Sequence, residues 1–125
     1  MAASPRPLLK TTGDAEVLAH RLAGSLPDAF VVRGLGDSML PLYRSGTILV
    51  VQRQAYDHLT RGMTVVFHTS DRTIAHVLVA RTGDGWRTAG LHNRQPDYLQ
   101  VNDRNIVGVV VAAFTPIEGA SFAMR

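Results

Sequence analysis

Apolar residues in the first quarter of the chain recur at Ala15, Leu18, Ala19, Leu22, Ala23 and Leu26. That is the i, i+3, i+4, i+7 stripe of an amphipathic helix, and it predicts one over Asp14–Leu26, ended by Gly24 and Pro27. Upstream, residues 1–12 carry two prolines and no periodicity, which reads as a loose arm. After Pro27 the period shortens. Runs rich in Val, Ile, Thr and Phe predict strands at Ala29–Arg33, Thr47–Arg53, Thr64–Thr69, Thr73–Ala80, Gly85–Ala89, Tyr98–Val101 and Ile106–Ala113. Turn residues punctuate them: Arg44-Ser45-Gly46, Arg61-Gly62, Ser70-Asp71-Arg72, Gly83-Asp84-Gly85 and Gln95-Pro96-Asp97. Gly83-Asp84-Gly85 reads as a hairpin turn.

Many short strands after a single helix predict a mainly β fold, a small bent sheet or partial barrel with one N-terminal helix. The expected organisation is an arm and helix over residues 1–27 and a β unit over 28–125. The two together form a single domain, because 125 residues suffice for one core and are too few for two.

Composition narrows the function classes. With 46% apolar and 18% charged residues, the chain is not disordered by composition. It has no cysteine, which excludes disulfides, thiolate metal sites and a cysteine nucleophile. The formal charge of +3 is thin and the arginines are scattered, so the basicity reads as a solvated surface and no nucleic-acid partner is expected. No apolar run approaches the roughly 18 residues of a membrane span. The run Ile106–Phe114 fits a buried strand instead. The N-terminus lacks a hydrophobic signal core, so the expected location is cytoplasmic, with no transmembrane segment. No histidine or acidic spacing fits a metal site, no phosphate-binding glycine motif opens a helix, and no cofactor is expected.

The chemistry-bearing stretch is "GLGDSMLPLYRSGTILVV", Gly34–Val51, which sets Ser38 between two β-type runs. Ser38 is either turn punctuation or a nucleophile, and a nucleophilic serine needs a base and oxyanion donors. Of the five histidines, His20 lies off the apolar stripe of the helix, His58 lies in a loop, and His68 closes a strand. His76 sits inside the apolar strand "RTIAHVLVAR". Alternation groups it with Ile74, Leu78 and Ala80, opposite Thr73, Ala75, Val77 and Val79. Taken alone, a buried histidine in such a strand reads as a core residue satisfied by backbone. Asp37 reads as a turn residue, because neighbours on an extended chain point opposite ways.

"GDSMLPLYRSGTILVV" resembles the nucleophile box of the S24/S26 serine peptidases, which include type I signal peptidases and the self-cleaving LexA-like repressors. Gly36, Ser38, Met39, Pro41 and Gly46 match that box, while Thr47 stands where an aspartate is usual. "RGMTVVF" resembles the next strand, with Met63 in place of an aspartate. "TIAHVLVAR" resembles the strand of the general base, and "NIVGVVVAAF" the closing strand. The resemblance implies the bent β fold of those peptidases and covers roughly Phe30–Phe114. It puts Ser38 as nucleophile and His76 as base. The base in LexA-like and bacterial members is a lysine, but the one lysine here, Lys10, lies outside the match. The base residue is therefore similar to that of the archaeal and endoplasmic-reticulum signal peptidases, which use histidine.

The same resemblance implies an aspartate behind the histidine, from a segment corresponding to Thr88–Asp97. Leu91 replaces the first acidic position, leaving Asp97 as first choice and Asp103 as second. Both residues read equally well as turn formers. Gly36, the Ser38 N–H and Met39 would line the oxyanion and substrate cleft, with Met39 as packing. The expected function is that of a soluble serine endopeptidase acting on an extended peptide or precursor protein. The alternative is an inactive relative that binds peptides or self-associates, and a homo-oligomer is compatible with either.

Overall fold

The computed structural model describes residues 4–34, 36, 38–70, 72–91 and 100–117. Among them, the predicted helix is α1, Thr12–Ser25. Thr11 caps it, its hydroxyl accepting from the Asp14 N–H at 3.3 Å. Ala15, Ala19 and Ala23 are buried along one face. Their small side chains bring the helix close to Ile48, Val50 and Phe114, with Leu18, Leu22 and Leu26 filling the margins.

The strands are β1 (Leu8–Thr11), β2 (Ala29–Arg33), β3 (Ile48–Gln52), β4 (Thr64–His68), β5 (Thr73–Thr82), β6 (Gly85–Ala89), β7 (Gln100–Val101) and β8 (Ile106–Ile117). They form one sheet in the order β2-β3-β8-β4-β5-β6-β7, with β1 also on β8. The mainly β fold with one N-terminal helix is thus as expected. The arm is not loose. Its residues Leu8–Thr11 form β1, parallel to the end of β8, in register Leu8↔Phe114 through Thr11↔Ile117. β8 accordingly runs past the predicted Ala113 to Ile117. The predicted Tyr98–Val101 strand is described only as β7, since Tyr98 lies outside the described residues.

β8 organises the sheet. Phe114 pairs with Ile48 on one side and Leu8 on the other, and Val109 pairs with Gln52 and Val65. So β3 occupies one edge of β8, while β4 and β1 share the opposite edge. Register shifts at Val50/Val51 and at Val66/Phe67 bend the sheet on both sides of β8. Besides the cluster under α1, the core holds two further clusters. Met39, Tyr43, Leu49, Val51, Val66, Val77, Val110 and Ala113 form one cluster. Leu59, Met63, Val65, Phe67, Leu78, Trp86, Val101 and Val109 form the other. The alternation read along β5 is visible here, since Ala75, Val77 and Val79 border the first cluster while Ile74 and Leu78 belong with the second.

Candidate active site

β2 and β3 pair in register from Ala29↔Gln52 to Arg33↔Ile48. The ladder continues one step further, with Gly34 N–H donating to the Thr47 carbonyl at 2.8 Å and Gly46 N–H to the Gly34 carbonyl at 2.7 Å. Ser38 lies in the loop that this ladder closes. Two glycines shape the loop: Gly36 has φ +95° and Gly46 φ +93°, a region a side chain disfavours. The Gly36 N–H is already used, donating to Ser45 Oγ at 3.1 Å. Its contribution is therefore loop shape rather than a free oxyanion donor. A turn follows in which the Tyr43 N–H donates to the Met39 carbonyl at 3.0 Å. Met39 and Tyr43 are buried, which sinks the turn into the first core cluster and leaves Ser38 half-buried at its edge.

The structure brings Ser38 and His76 together. His76 is 5% exposed, opposite Val65 in the β4–β5 ladder. Its Nε2 lies 3.2 Å from Ser38 Oγ. With the ring proton on Nδ1, the serine hydroxyl donates to Nε2, the arrangement a general base requires. Phe67 meets the imidazole edge-on, with ring centres 6.3 Å apart, and restricts its tilt. Nδ1 is buried.

The pair opens onto a cleft of about 620 Å³. Its floor is apolar, from Met39, Leu49, Val66 and Ile74, and arginines 33, 44 and 72 stand on its walls. Arg33 is ion-paired with Glu16 of α1, while Arg44 donates to the Pro116 carbonyl at 3.2 Å. Two strand edges flank the cleft. One is the outer edge of β2, which among the described residues pairs only with β3. The other is the first half of β5, because β6 pairs with β5 only from Val77 onwards.

The remaining expected site residues divide clearly. Asp97 lies outside the described residues, as does Asp37. Asp103 is exposed, in the turn between β7 and β8. Asn102 Oδ1 organises that turn by accepting from the N–H groups of Arg104 and Asn105 at 2.8 and 3.0 Å. Thr47 and Met63, which stand where the resemblance expects aspartates, are both buried. Thr47 Oγ1 shares a 3.0 Å hydrogen bond with Thr115, and Met63 packs in the second cluster. These two positions serve the core. His20 is exposed beside Glu16, and His68 Nδ1 bonds the Thr73 hydroxyl at 2.9 Å. Among the described residues no group of three histidine or acidic side chains could hold a metal. No helix among them is long and apolar enough to cross a membrane. Tyr43 does not stand out from the sequence, although its place five residues after Ser38 is a usable signal.

A protein-family model described as Peptidase S24-like matches residues 2–111. The chain belongs to the S24-like peptidase family. No curated protein and no solved structure matches it. The match runs from the N-terminal arm through the Ser38 loop and the His76 strand into β8. It therefore covers α1 and β1 as well as all but the last few of the residues that carried the resemblance.

Proposed function

We propose that this S24-like chain is a serine endopeptidase in which Ser38 is the nucleophile and His76 the general base. The observation that carries this reading is the 3.2 Å approach of His76 Nε2 to Ser38 Oγ at the wall of a cleft. Ser38 Oγ gives its proton to Nε2 as it attacks the scissile carbonyl carbon. The carbonyl oxygen, now an oxyanion, takes a hydrogen bond from the Ser38 N–H. The imidazolium then protonates the leaving amine, and the peptide bond breaks to leave an acyl-serine. Water, deprotonated by His76, releases the acid and restores the serine. Asp97 is the first choice for the group that orients the imidazole. Asp103, exposed in its turn, is the second.

The substrate enters extended. An added strand would lie along the edge of β2 or beside the first half of β5, an arrangement that favours main-chain recognition with the scissile bond laid over Ser38. The histidine base supports kinship with the Ser-His signal peptidases, whose preference for small residues beside the cut would carry over. A soluble precursor in the cytoplasm is the substrate this reading favours. A second reading, a peptide-binding or self-associating module without hydrolysis, draws on Leu91. That residue is 45% exposed, where the resemblance expects an acid.

The test is labelling with a small fluorophosphonate at pH 8, followed by intact mass. Wild type should take one adduct, and Ser38→Ala and His76→Ala none. The labelling rate should fall as pH drops through the range where an imidazole takes up a proton, about 6 to 7. An unlabelled wild type, or an adduct that persists in Ser38→Ala, would refute the peptidase reading. A rate unchanged down to pH 5 would remove His76 as base.

A further inference from the structure

The N-terminal arm does more than contribute β1. Residues 4 and 5, just before it, reach both halves of the candidate site. The Ser4 hydroxyl donates to the Gly62 carbonyl at 2.8 Å and shares a hydrogen bond with Thr64 Oγ1. One residue on, the Pro5 carbonyl accepts from the Tyr43 phenol at 2.6 Å. Thr64 and Tyr43 belong to different partners of the Ser38–His76 pair. Thr64 opens β4 and pairs with Val77, and the next rung is Val65↔His76. Tyr43 closes the turn that holds Ser38, through its N–H to the Met39 carbonyl, and it lines the same cleft.

We propose that Ser4-Pro5 is a strap that holds the Ser38 turn against the His76 strands, and that Tyr43 is the positioning residue through which it acts. The inference rests on the peptidase reading only for its kinetic consequence; the strap itself is a statement about the turn. Three features make the strap more than packing. Thr64 is fully buried and Tyr43 is 4% exposed, so their hydroxyls have no water to fall back on and are satisfied by each other and by the arm. Burial raises the Tyr43 phenol above its ordinary value against the lowering effect of Thr64, so the donation to Pro5 persists even in alkaline solution that would ionise an exposed tyrosine. The contacts also span 58 residues for Ser4 with Gly62 and 38 for Tyr43 with Pro5. The arm thus braces a junction between two segments far apart in sequence, which the Tyr43–Thr64 side-chain hydrogen bond joins directly.

The test uses the full chain as Ser4→Ala, Tyr43→Phe, the double variant and Ser4→Thr, which keeps the hydroxyl. One measurement is the saturation kinetics of fluorophosphonate labelling. The other is hydrogen exchange of residues 38–43 and 62–66 against β3. Ser4→Ala and Tyr43→Phe should each lower the limiting labelling rate about tenfold, as misplacement of reacting atoms does. The half-saturating probe concentration should stay unchanged. Ser4→Thr should keep the wild-type rate, and the double variant should be no slower than the slower single, because the contacts act as one unit. Exchange should rise in 38–43 and 62–66 and stay constant in β3. Wild-type exchange in these variants, or a rise spread evenly over the sheet, would overturn the strap. If wild type itself takes no label, exchange decides alone: a rise confined to the two segments sustains the strap while the peptidase reading fails, and no rise ends both. If Tyr43→Phe does not fold, Ser4→Ala, at a half-buried position near the chain end, decides by the same two measurements.

Discussion

Gly108→Ala tests the close packing of β8 against β3. Gly108 lies in β8 opposite Val66 of β4. A Cβ added there would stand 2.6 Å from Val51 Cγ1, 2.9 Å from the Gln52 carbonyl oxygen and 3.2 Å from its carbon. Two of these three atoms are backbone, and Val51 is fully buried with a β-branched side chain held at χ1. Neither neighbour can step aside cheaply, so β3 must separate from β8. Overpacking a core costs about 1–3 kcal/mol, and two contacts this short place the loss at about 2–3 kcal/mol. At a urea dependence of about 1.5 kcal/mol per molar, the unfolding midpoint should fall by about 1.3–2 M. Trp86 is the one tryptophan of the chain and is buried in the second cluster, so its fluorescence follows the transition. Val51→Ala removes the nearest obstacle but leaves the Gln52 carbonyl. In that background Gly108→Ala should cost less, with a coupling of about 1 kcal/mol in the double-mutant cycle. A midpoint within about 0.3 M of wild type would refute the reasoning, as would strict additivity with Val51→Ala.

Thr47→Val leaves the buried Thr115 hydroxyl without its 3.0 Å partner and should cost about 1–3 kcal/mol; Thr47→Val with Thr115→Val should recover part of it, read by urea unfolding. Ala19→Leu puts a large side chain between α1 and the sheet, where Ala19 is fully buried, and should cost about 1–3 kcal/mol, whereas Val17→Ala on the exposed face of the same helix should shift the melting temperature little. Glu16→Gln removes the ion pair to Arg33, whose partners are 38% and 46% exposed; it should change stability by less than about 1 kcal/mol, and a larger loss in thermal unfolding would mean that the pair anchors the cleft wall.

The helix and most strands were legible because each element carries its own period. Ala15, Ala19 and Ala23 mark the buried face of α1 without reference to the rest of the chain. β1 was not legible for the opposite reason. Leu8–Thr11 has four residues, prolines close by and two exposed leucines, and it becomes a strand only because the end of β8 offers an edge. The end of β8 was hidden by Pro116, which reads as a strand stop but here sits opposite Lys10 of the short β1. At the site, periodicity alone made His76 a core histidine, and burial bears that out. Its approach to Ser38 is a tertiary fact that only the resemblance anticipated. Thr47 and Met63 looked like lost acidic residues, and the fold shows both filling core positions. The role of Tyr43 depends on contacts with Pro5 and Thr64, which no local pattern encodes.

On the peptidase reading, a histidine base changes what the fold must supply. A lysine reaches its serine on a four-carbon stem and can absorb small displacements of the backbone. An imidazole is one carbon from the chain and turns about two bonds, so the turn bearing Ser38 and the strand bearing His76 must themselves be correctly spaced. The structure meets that demand in three places. Phe67 limits the tilt of the ring, Met39 and Tyr43 sink the turn into the core, and the β4–β5 ladder fixes His76 opposite Val65. So short a reach makes the chemistry sensitive to residues that never touch substrate. Reactivity lost in Gly108→Ala or Tyr43→Phe should track the geometry of the pair, and replacing His76 by lysine should not restore it, because the longer side chain would enter a site built at imidazole length.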